Sequence, residues 1–256
     1  MFPAIDSPKN ARVKLLRSLS QKKFRDQTGL FAVEGEKLIE EAQDWGFAIE
    51  FALFADGDSA LAASLADSGT QVFAASEQAI RAACDTETPQ GCVAAVRIPD
   101  HAGTVPQKGL WAVLDGVQDP GNVGAIIRCA DAFGSEGVLL GPGCADPWSP
   151  KAVRSAMGSS FHIPVVSVSN LPGALGRMRS LGFRIIAAHL SGSPELPDSL
   201  GASVALLIGS EGRGLSEEVS NEADILYRLP MKGNAESLNA AVAAGVILYE
   251  LSKRMV

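Results

Sequence analysis

The sequence has few of the residues that mark metal sites, disulfide frameworks and membrane spans. Among its 256 residues are four cysteines and three histidines, with no C-x-x-C pair and no H-x-x-x-H spacing. A metal mechanism is therefore not expected, and the cysteines fit small thiols in a reducing compartment. No apolar run approaches the ~20 residues of a membrane span, and the N-terminus lacks the apolar core of a signal peptide. These absences predict a cytoplasmic protein without metal or membrane association.

The motifs of several common enzyme classes are also missing. The sequence has no G-x-S-x-G turn and no Ser/His/Asp arrangement of a hydrolase. The glycine-rich segment GSEGRG at 209–214 is not a dinucleotide-binding G-x-G-x-x-G, because Glu217 stands where the last glycine would be. It is not a P-loop either, because no Gly-Lys-Ser/Thr follows it. A hydrolase and a nicotinamide-dependent oxidoreductase are therefore disfavoured.

Positive charge is concentrated at the N-terminus of an otherwise acidic chain. The formal net charge is −7, yet residues 1–25 carry seven basic side chains against one acid, Asp6. The basic residues of this segment are Lys9, Arg12, Lys14, Arg17, Lys22, Lys23 and Arg25. Such a segment can bind the phosphates of a nucleic acid, and a solvated helix that happens to carry lysines is an equally open interpretation.

Strands alternate with helices along both halves of the chain, which predicts α/β layers. Residues 99–109 contain proline and glycine without an apolar period, and are the predicted linker between domains at 1–98 and 110–256. In the second domain we expect strands near 110–115, 136–140, 162–168, 184–190, 204–209 and 224–229. Helices are expected near 122–133, 150–157, 171–181, 216–222 and 237–253.

Two glycine-rich turns of the second half follow apolar runs, which is where an α/β sheet presents ligands. In the first, DPGNVG at 119–124, Asn122 either caps the following helix or takes part in binding a ligand. Arg128 lies further along that helix and could pair with a carboxylate, grip a phosphate or stay in solvent. In the second turn, at 209–214, Glu211 could accept hydrogen bonds from a ligand or from amides of its own loop.

A third polar segment, LPMKGNAESLN at 229–239, precedes the last helix. Ser237 is the predicted N-cap of that helix, and Asn239 is expected in its first turn. A buried asparagine at the start of an apolar helix must find a hydrogen-bond partner. The helix itself is apolar on nearly every face, so it should be buried in the domain core or against a second subunit.

These segments together resemble motifs 1, 2 and 3 of the SpoU (TrmH-type) RNA 2′-O-ribose methyltransferases of the SPOUT class. The matching patterns are N-x-G-A-I-x-R, G-S-E-G-x-G and P-M-x-G-x-x-E-S-L-N, in that order within roughly 110–253. The segment SPKAVRSAMGSSFHIPV at 149–165 also resembles the family. FAVEGEKLIEEA at 31–42 is similar to the small α/β, ribosomal-protein-like RNA-binding domain of many members.

The resemblance implies a parallel sheet whose C-terminal part threads a trefoil knot, S-adenosylmethionine as cofactor and a homodimer formed through the knotted domain. The catalytic residues that it implies are Arg128, Asn122, Glu211, Ser237 and Asn239. The cofactor-binding residues that it implies are Gly209, Leu229, Met231, Leu238 and Asn239. The implied reaction is attack of a ribose 2′-oxygen on the methyl group of the cofactor. We expect Arg128 to act there as a positive clamp, because a guanidinium with a pKa above ~12 is a poor base.

RNA is the implied partner, bound by the basic residues of segment 1–25 together with Arg154. Ribosomal RNA is expected rather than transfer RNA, because a separate N-terminal domain is common among the rRNA-directed members. A tRNA 2′-O-methyltransferase is the alternative substrate assignment. A non-catalytic RNA-binding or assembly protein of the same fold is the alternative of a different class, and tight cofactor binding would argue against it.

Overall fold

A computed structural model describes residues 2–55, 57, 59–101, 104 and 106–255 of the chain. It divides into a first unit, Met1–Asp100 with Trp148–Val153, and a second unit, His101–Pro147 with Arg154–Val256. Part of the predicted linker at 99–109 lies outside the described residues, and the predicted domain bounds stay predictions. No helix in the described part of the chain is long and apolar enough to cross a membrane.

The first unit is a five-stranded sheet with helices. Its elements are β1 (Ala4–Ile5), α1 (Ala11–Ser18), α2 (Lys22–Thr28), β2 (Leu30–Glu34), α3 (Glu36–Asp44), β3 (Ile49–Phe54), α4 (Ala60–Asp67), β4 (Gln71–Ala75), α5 (Glu77–Ala83) and β5 (Cys92–Arg97). The strand order is β1-β4-β3-β5-β2, with β5 antiparallel to both of its neighbours. Trp148 belongs to this unit because its ring lies 4.8 Å from that of Phe31 and 6.5 Å from that of Phe47, centroid to centroid.

The second unit is built on a six-stranded sheet in which every pairing is parallel. Its elements are β6 (Gly109–Asp115), α6 (Pro120–Ala132), β7 (Gly137–Leu140), α7 (Pro150–Ala156), which begins in the first unit, α8 (Ser159–His162), β8 (Val165–Ser167), α9 (Leu171–Ser180), β9 (Arg184–Ser193), β10 (Ser203–Gly209), α10 (Glu217–Ser220), β11 (Ile225–Tyr227) and α11 (Ala240–Ser252). The order is β11-β9-β10-β6-β7-β8. The expected α/β fold with a parallel sheet is thereby confirmed, while the knot stays a prediction.

The central strands β6 and β10 are unbroken apolar runs because helices cover both faces of a parallel sheet. Leu206 and Leu207 of β10 pair with Ala112 and Val113 of β6, and all four are fully buried. At the carboxyl end of the same ladder, Gly209 pairs with Asp115. The loops that follow the two strands therefore leave the sheet side by side, at the edge where ligands bind in this class of fold.

The last helix and the strand expected over 162–168 begin later in the structure than the sequence predicted. α11 begins at Ala240 with Asn239 as its N-cap, whereas the sequence predicted Ser237 as the cap. The Oδ1 atom of Asn239 accepts from the backbone N–H groups of Ala241 at 2.9 Å and Val242 at 3.3 Å, which satisfies two donors of the first turn. The strand expected over 162–168 is shorter, because residues up to His162 form helix α8 and β8 begins only at Val165.

Candidate functional site

The N-terminus of α6 positions Asn122 at the edge of the sheet where β6 and β10 end. Asp119 caps this helix by accepting from the backbone N–H of Asn122 at 3.0 Å, and Pro120 occupies its first turn. The cap is thus Asp119, which leaves the side chain of Asn122 available for other partners.

The side chain of Asn122 links the second and third polar segments. Its Nδ2 donates to Oε1 of Glu211, and its Oδ1 accepts from Nδ2 of Asn239 at 3.0 Å. Oδ1 of Asn239 is used at the same time as the cap of α11. In both asparagines the amide oxygen and the amide nitrogen are therefore hydrogen-bonded, which fixes the orientation of both side chains. The structure brings together three predicted site residues that lie 89 and 117 positions apart along the chain.

The loop after β10 folds back so tightly that the last residue of the strand, Gly209, must be glycine. A Cβ atom at Gly209 would lie 2.1 Å from the carbonyl carbon of Gly214 and 2.3 Å from the nitrogen of Leu215. Ser210 and Gly214 exchange two backbone hydrogen bonds of 3.0 and 2.9 Å, which close the loop on itself. Glu211 lies at the tip of this closed loop and is exposed.

Asp115 ties the far end of the same loop to the sheet. Its Oδ2 accepts from the backbone N–H of Ser216 at 2.7 Å, and Ser216 in turn caps the short helix α10. Asp115 was not among the site residues predicted from the sequence. An acidic residue at the end of a buried strand was the available signal, although its partner 101 residues away could not be found without the topology.

A cleft of about 970 Å³ opens beside this loop. Ile208, Leu229 and Leu238 supply apolar lining, and Gly209 and Met231 also line it. The charged residues in its lining are Glu211, Arg213, Arg228 and Glu236. Four of the five predicted cofactor residues therefore border one cleft, whose volume suits a ligand of nucleoside size with a short tail. The fifth, Asn239, joins the hydrogen-bonded chain described above.

The structure does not bring Arg128 and Ser237 into that hydrogen-bonded chain. Arg128 is exposed and makes no hydrogen bond or ion pair with any residue that the structure describes. It lies six residues after Asn122, which is about 9 Å along the axis of α6 at ~1.5 Å per residue. Ser237 is exposed in the lining of the cleft.

The basic residues of the N-terminal segment are not equivalent in the structure. Arg25 is only 2% exposed, and its Nη1 donates to the carbonyl of Leu19 at 2.6 Å, so it holds the chain between α1 and α2 rather than facing solvent. Arg12 lies over the ring of Phe73 at 4.2 Å from the centroid. The exposed members of the segment are Lys9, Lys14, Arg17, Lys22 and Lys23. Arg154, in the last turn of α7, is half-buried.

All four cysteines are free thiols, and burial makes each of them a weaker acid. Burial raises the pKa values of Cys84 and Cys92 to about 12, and it raises those of Cys129 and Cys144 in the same direction. A thiol of raised pKa is a poor nucleophile at neutral pH. In the part of the chain that the structure describes, no group of three or more His, Cys, Asp or Glu side chains is placed to hold a metal ion.

Fold and site together define a two-part α/β protein with a ligand cleft at the carboxyl edge of a parallel sheet. The SpoU rRNA Methylase family matches residues 109–249, and the MRM3-like substrate binding domain matches residues 10–94. The chain belongs to the SpoU rRNA methylase family. The resemblance carried by the three motifs is thereby confirmed.

Individual relatives extend this similarity over nearly the whole chain. The chain is 40% identical over 250 residues to the 23S rRNA (guanosine(2553)-2′-O)-methyltransferase RlmP of Bacillus subtilis (strain 168), covering 96% of this chain and 98% of that protein. The AdoMet-bound rRNA methyltransferase from Sinorhizobium meliloti matches at a TM-score of 0.88 with 36% identity, covering 98% of this chain and 97% of the other. The SpoU methyltransferase AviRb from Streptomyces viridochromogenes, in complex with AdoMet, matches at 0.85 with 31% identity, covering 96% and 98%.

Proposed function

We propose that this chain transfers the methyl group of S-adenosylmethionine to a ribose 2′-hydroxyl of a structured RNA. The observation that carries the proposal is the hydrogen-bonded chain from Asn239 through Asn122 to Glu211. It joins one residue from each of the three motifs, and its last member lies in the lining of the cleft. A methyltransferase of this family needs all three motifs at one place, and these hydrogen bonds hold one polar residue of each motif together.

The cleft fits the cofactor by its size and by the character of its walls. Apolar side chains such as Leu229 and Leu238 suit the adenine ring, and the absence of a Cβ at Gly209 lets the backbone approach a ligand closely. We assign cofactor binding to Gly209, Leu229, Met231 and Leu238, with Asn239 beside them. When bound, S-adenosylmethionine supplies an electrophilic methyl group and a neutral thioether as leaving group.

The residues of the chain then have to align the ribose hydroxyl and accept its proton. Glu211 uses Oε1 for Asn122, so its other carboxylate oxygen is available to accept a hydrogen bond from the hydroxyl. Asn122 holds that carboxylate in place and is itself held by Asn239. Alignment of this kind lowers the barrier because the reacting groups no longer have to find one another. Ser237 is the remaining polar group of motif 3 in the cleft.

We propose that Arg128 acts as a positive clamp, which stabilises the developing alkoxide or binds a neighbouring phosphate of the RNA. Its side chain is exposed and has no ion-pair partner among the residues described, so a phosphate can reach it. A guanidinium stays protonated at any physiological pH, and it therefore stabilises negative charge better than it accepts a proton.

A second copy of the chain is the partner proposed for helix α11. Val242, Val246 and Tyr249 are 52%, 40% and 47% exposed, and their spacing places them on one face of an otherwise buried helix. The ring of Tyr249 also packs 5.5 Å from that of Phe133 at the end of α6, which extends the apolar surface. An apolar helix face of this kind is stable when covered by a two-fold related copy of itself.

Ribosomal RNA is the substrate class that we propose. The relative RlmP is named for 23S rRNA, and the first unit carries the MRM3-like substrate binding domain. The exposed lysines and arginine of segment 1–25 give that unit a positive surface for phosphates. Arg25 is excluded from this surface because it is buried. A cytoplasmic location follows if the substrate is rRNA of a ribosome assembled there.

Methyl transfer from radiolabelled S-adenosylmethionine to total rRNA and total tRNA, assayed in parallel, tests the proposal. Label is expected in the rRNA pool, at 2′-O positions, and Arg128→Ala should lower the rate by about 100-fold or more because a charge-stabilising group is lost. Arg177→Ala, an exposed arginine of α9, is the matched control and should keep the wild-type rate. Label in tRNA alone would overturn the rRNA assignment. Absence of both label and cofactor binding would favour a non-catalytic RNA-binding protein.

A further inference from the structure

Strand β9 makes an excursion that carries four residues into the cleft. Ala187 of β9 pairs with Leu226 of β11, but the next residue of β11, Tyr227, pairs with Ser193. Residues 188–192 of β9 therefore have no counterpart in β11 and leave the ladder between two consecutive pairs. The residues of this excursion in the cleft lining are Ala188, His189, Leu190 and Ser191.

After this excursion, β9 rejoins the ladder at a point where the backbone of Gly192 lies very close to the backbone of Leu226. A Cβ atom there would lie 2.5 Å from the carbonyl oxygen of Leu226 and 2.6 Å from its carbonyl carbon. Backbone atoms cannot give way as the end of a flexible side chain can, so only glycine fits. Residues 188–191 are thus held at a defined place beside the cleft, although they lie outside the regular ladder.

His189 is the one residue of the excursion whose side chain carries a ring N–H. Its Nδ1 accepts from the backbone N–H of Ser191 at 3.1 Å, and its side chain is half-buried. A ring nitrogen that accepts is unprotonated, so the neutral imidazole carries its proton on Nε2. Nε2 has no hydrogen-bond partner among the residues that the structure describes. The bond from Ser191 therefore fixes the tautomer and leaves the Nε2 donor of a cleft-lining residue available.

We infer that His189 is a cofactor-binding residue whose Nε2–H donates a hydrogen bond to an acceptor atom of S-adenosylmethionine. The inference rests on the proposed function, because it assigns the donor to the ligand of the same cleft. Arginines 213 and 228, also in the lining, offer positive charge for the carboxylate of the cofactor. His189 adds a neutral donor, which suits a ring nitrogen or a hydroxyl oxygen of the adenosine moiety.

Two conservative substitutions separate cofactor binding from a merely structural role. His189→Gln places an amide N–H close to the position of Nε2, and should bind within about 3-fold of the wild type because the donor is kept. His189→Asn places an amide oxygen close to the position of Nδ1, so the bond from Ser191 can be kept while the Nε2 donor is lost. His189→Asn should weaken binding about 10-fold, the effect expected for one lost hydrogen bond in a partly buried site.

Isothermal titration of each full-length variant with S-adenosylhomocysteine measures the effect without any RNA or turnover. The melting temperature of each variant checks that the chain is folded. Weak binding by His189→Asn with near-normal binding by His189→Gln supports the inference. Equal affinity of wild type and His189→Asn overturns it, and so does equal loss in both variants, which would indicate a structural role. A wild-type chain that fails to bind S-adenosylhomocysteine would instead overturn the proposed function.

Discussion

Replacing Gly209 by alanine tests how tightly the loop after β10 is packed. The added methyl group would lie 2.1 Å from the carbonyl carbon and 2.4 Å from the carbonyl oxygen of Gly214, and 2.3 Å from the nitrogen of Leu215. All three are backbone atoms of the closing residues of the loop. The loop must therefore open or shift as a whole, and the hydrogen bonds between Ser210 and Gly214 would be strained.

The cost of this change is large for a single methyl group. Overpacking of a well-packed site costs roughly 1–3 kcal/mol, and loss of a backbone hydrogen bond adds about 1 kcal/mol, so we expect a loss of ~2–4 kcal/mol. At roughly 2–4 °C per kcal/mol for a domain of this size, the melting temperature of the second unit should fall by about 5–15 °C. Affinity for S-adenosylhomocysteine should fall as well, because Gly209 lines the cleft.

Gly212 supplies the matched control from the same loop. A Cβ atom at Gly212 would meet nothing within 4 Å. Differential scanning calorimetry of Gly212→Ala should therefore give a melting temperature close to that of the wild type. If Gly209→Ala were as stable as Gly212→Ala, the loop would not be closed as described, and position 209 would not require a glycine.

Three further changes test other parts of the account. Asn239→Ala removes the cap of α11 and should cost about 1 kcal/mol in the free energy of unfolding, measured by urea denaturation, since Ala241 and Val242 lose their acceptor. Val246→Glu places a charge on the apolar face of α11 and should convert a dimer to a monomer in sedimentation velocity, whereas Ala63→Glu, on an exposed position of α4, should not. Burial raises the pKa of the Cys92 thiol from 9.0 to about 12. The folded state therefore keeps this proton at pH values where the unfolded state loses it, and the free energy of unfolding of the first unit should fall as pH rises from 9 toward 12. In Cys92→Ala that fall should be smaller.

Local signals in the sequence predicted most elements of the second unit. The apolar runs of β6 and β10 were visible because each depends on neighbouring residues only. Helix α6 was expected near 122–133, and it begins two residues earlier, at Pro120, because Asp119 is its cap. The cap of α11 was predicted at Ser237, with Asn239 in the first turn, whereas the structure has Asn239 as the cap. Serine and asparagine are both good caps, so local sequence does not distinguish them, and the other end of the Asn239 amide bonds Asn122.

Features that depend on distant parts of the chain could not be predicted from periodicity. Arg25 was grouped with the phosphate-binding residues, although its guanidinium is buried against the carbonyl of Leu19. A strand was expected near 184–190, and nothing local in that segment shows that β11 pairs around residues 188–192. The motifs indicated that Asn122, Glu211 and Asn239 belong to one site, but the hydrogen bonds that join them became visible only with the topology.

A double-mutant cycle on Asn122 and Glu211 tests most directly whether the motifs act as one site. The rate of methyl transfer to rRNA at saturating cofactor is measured for wild type, Asn122→Ala, Glu211→Ala and the double variant. If Asn122 acts by holding Glu211, each single change should lower the rate by about 100-fold or more, and the double change should add little, because residues that act as a unit are not additive. A double variant whose loss of rate equals the product of the two single losses would contradict this coupling, and so would single variants that keep the wild-type rate.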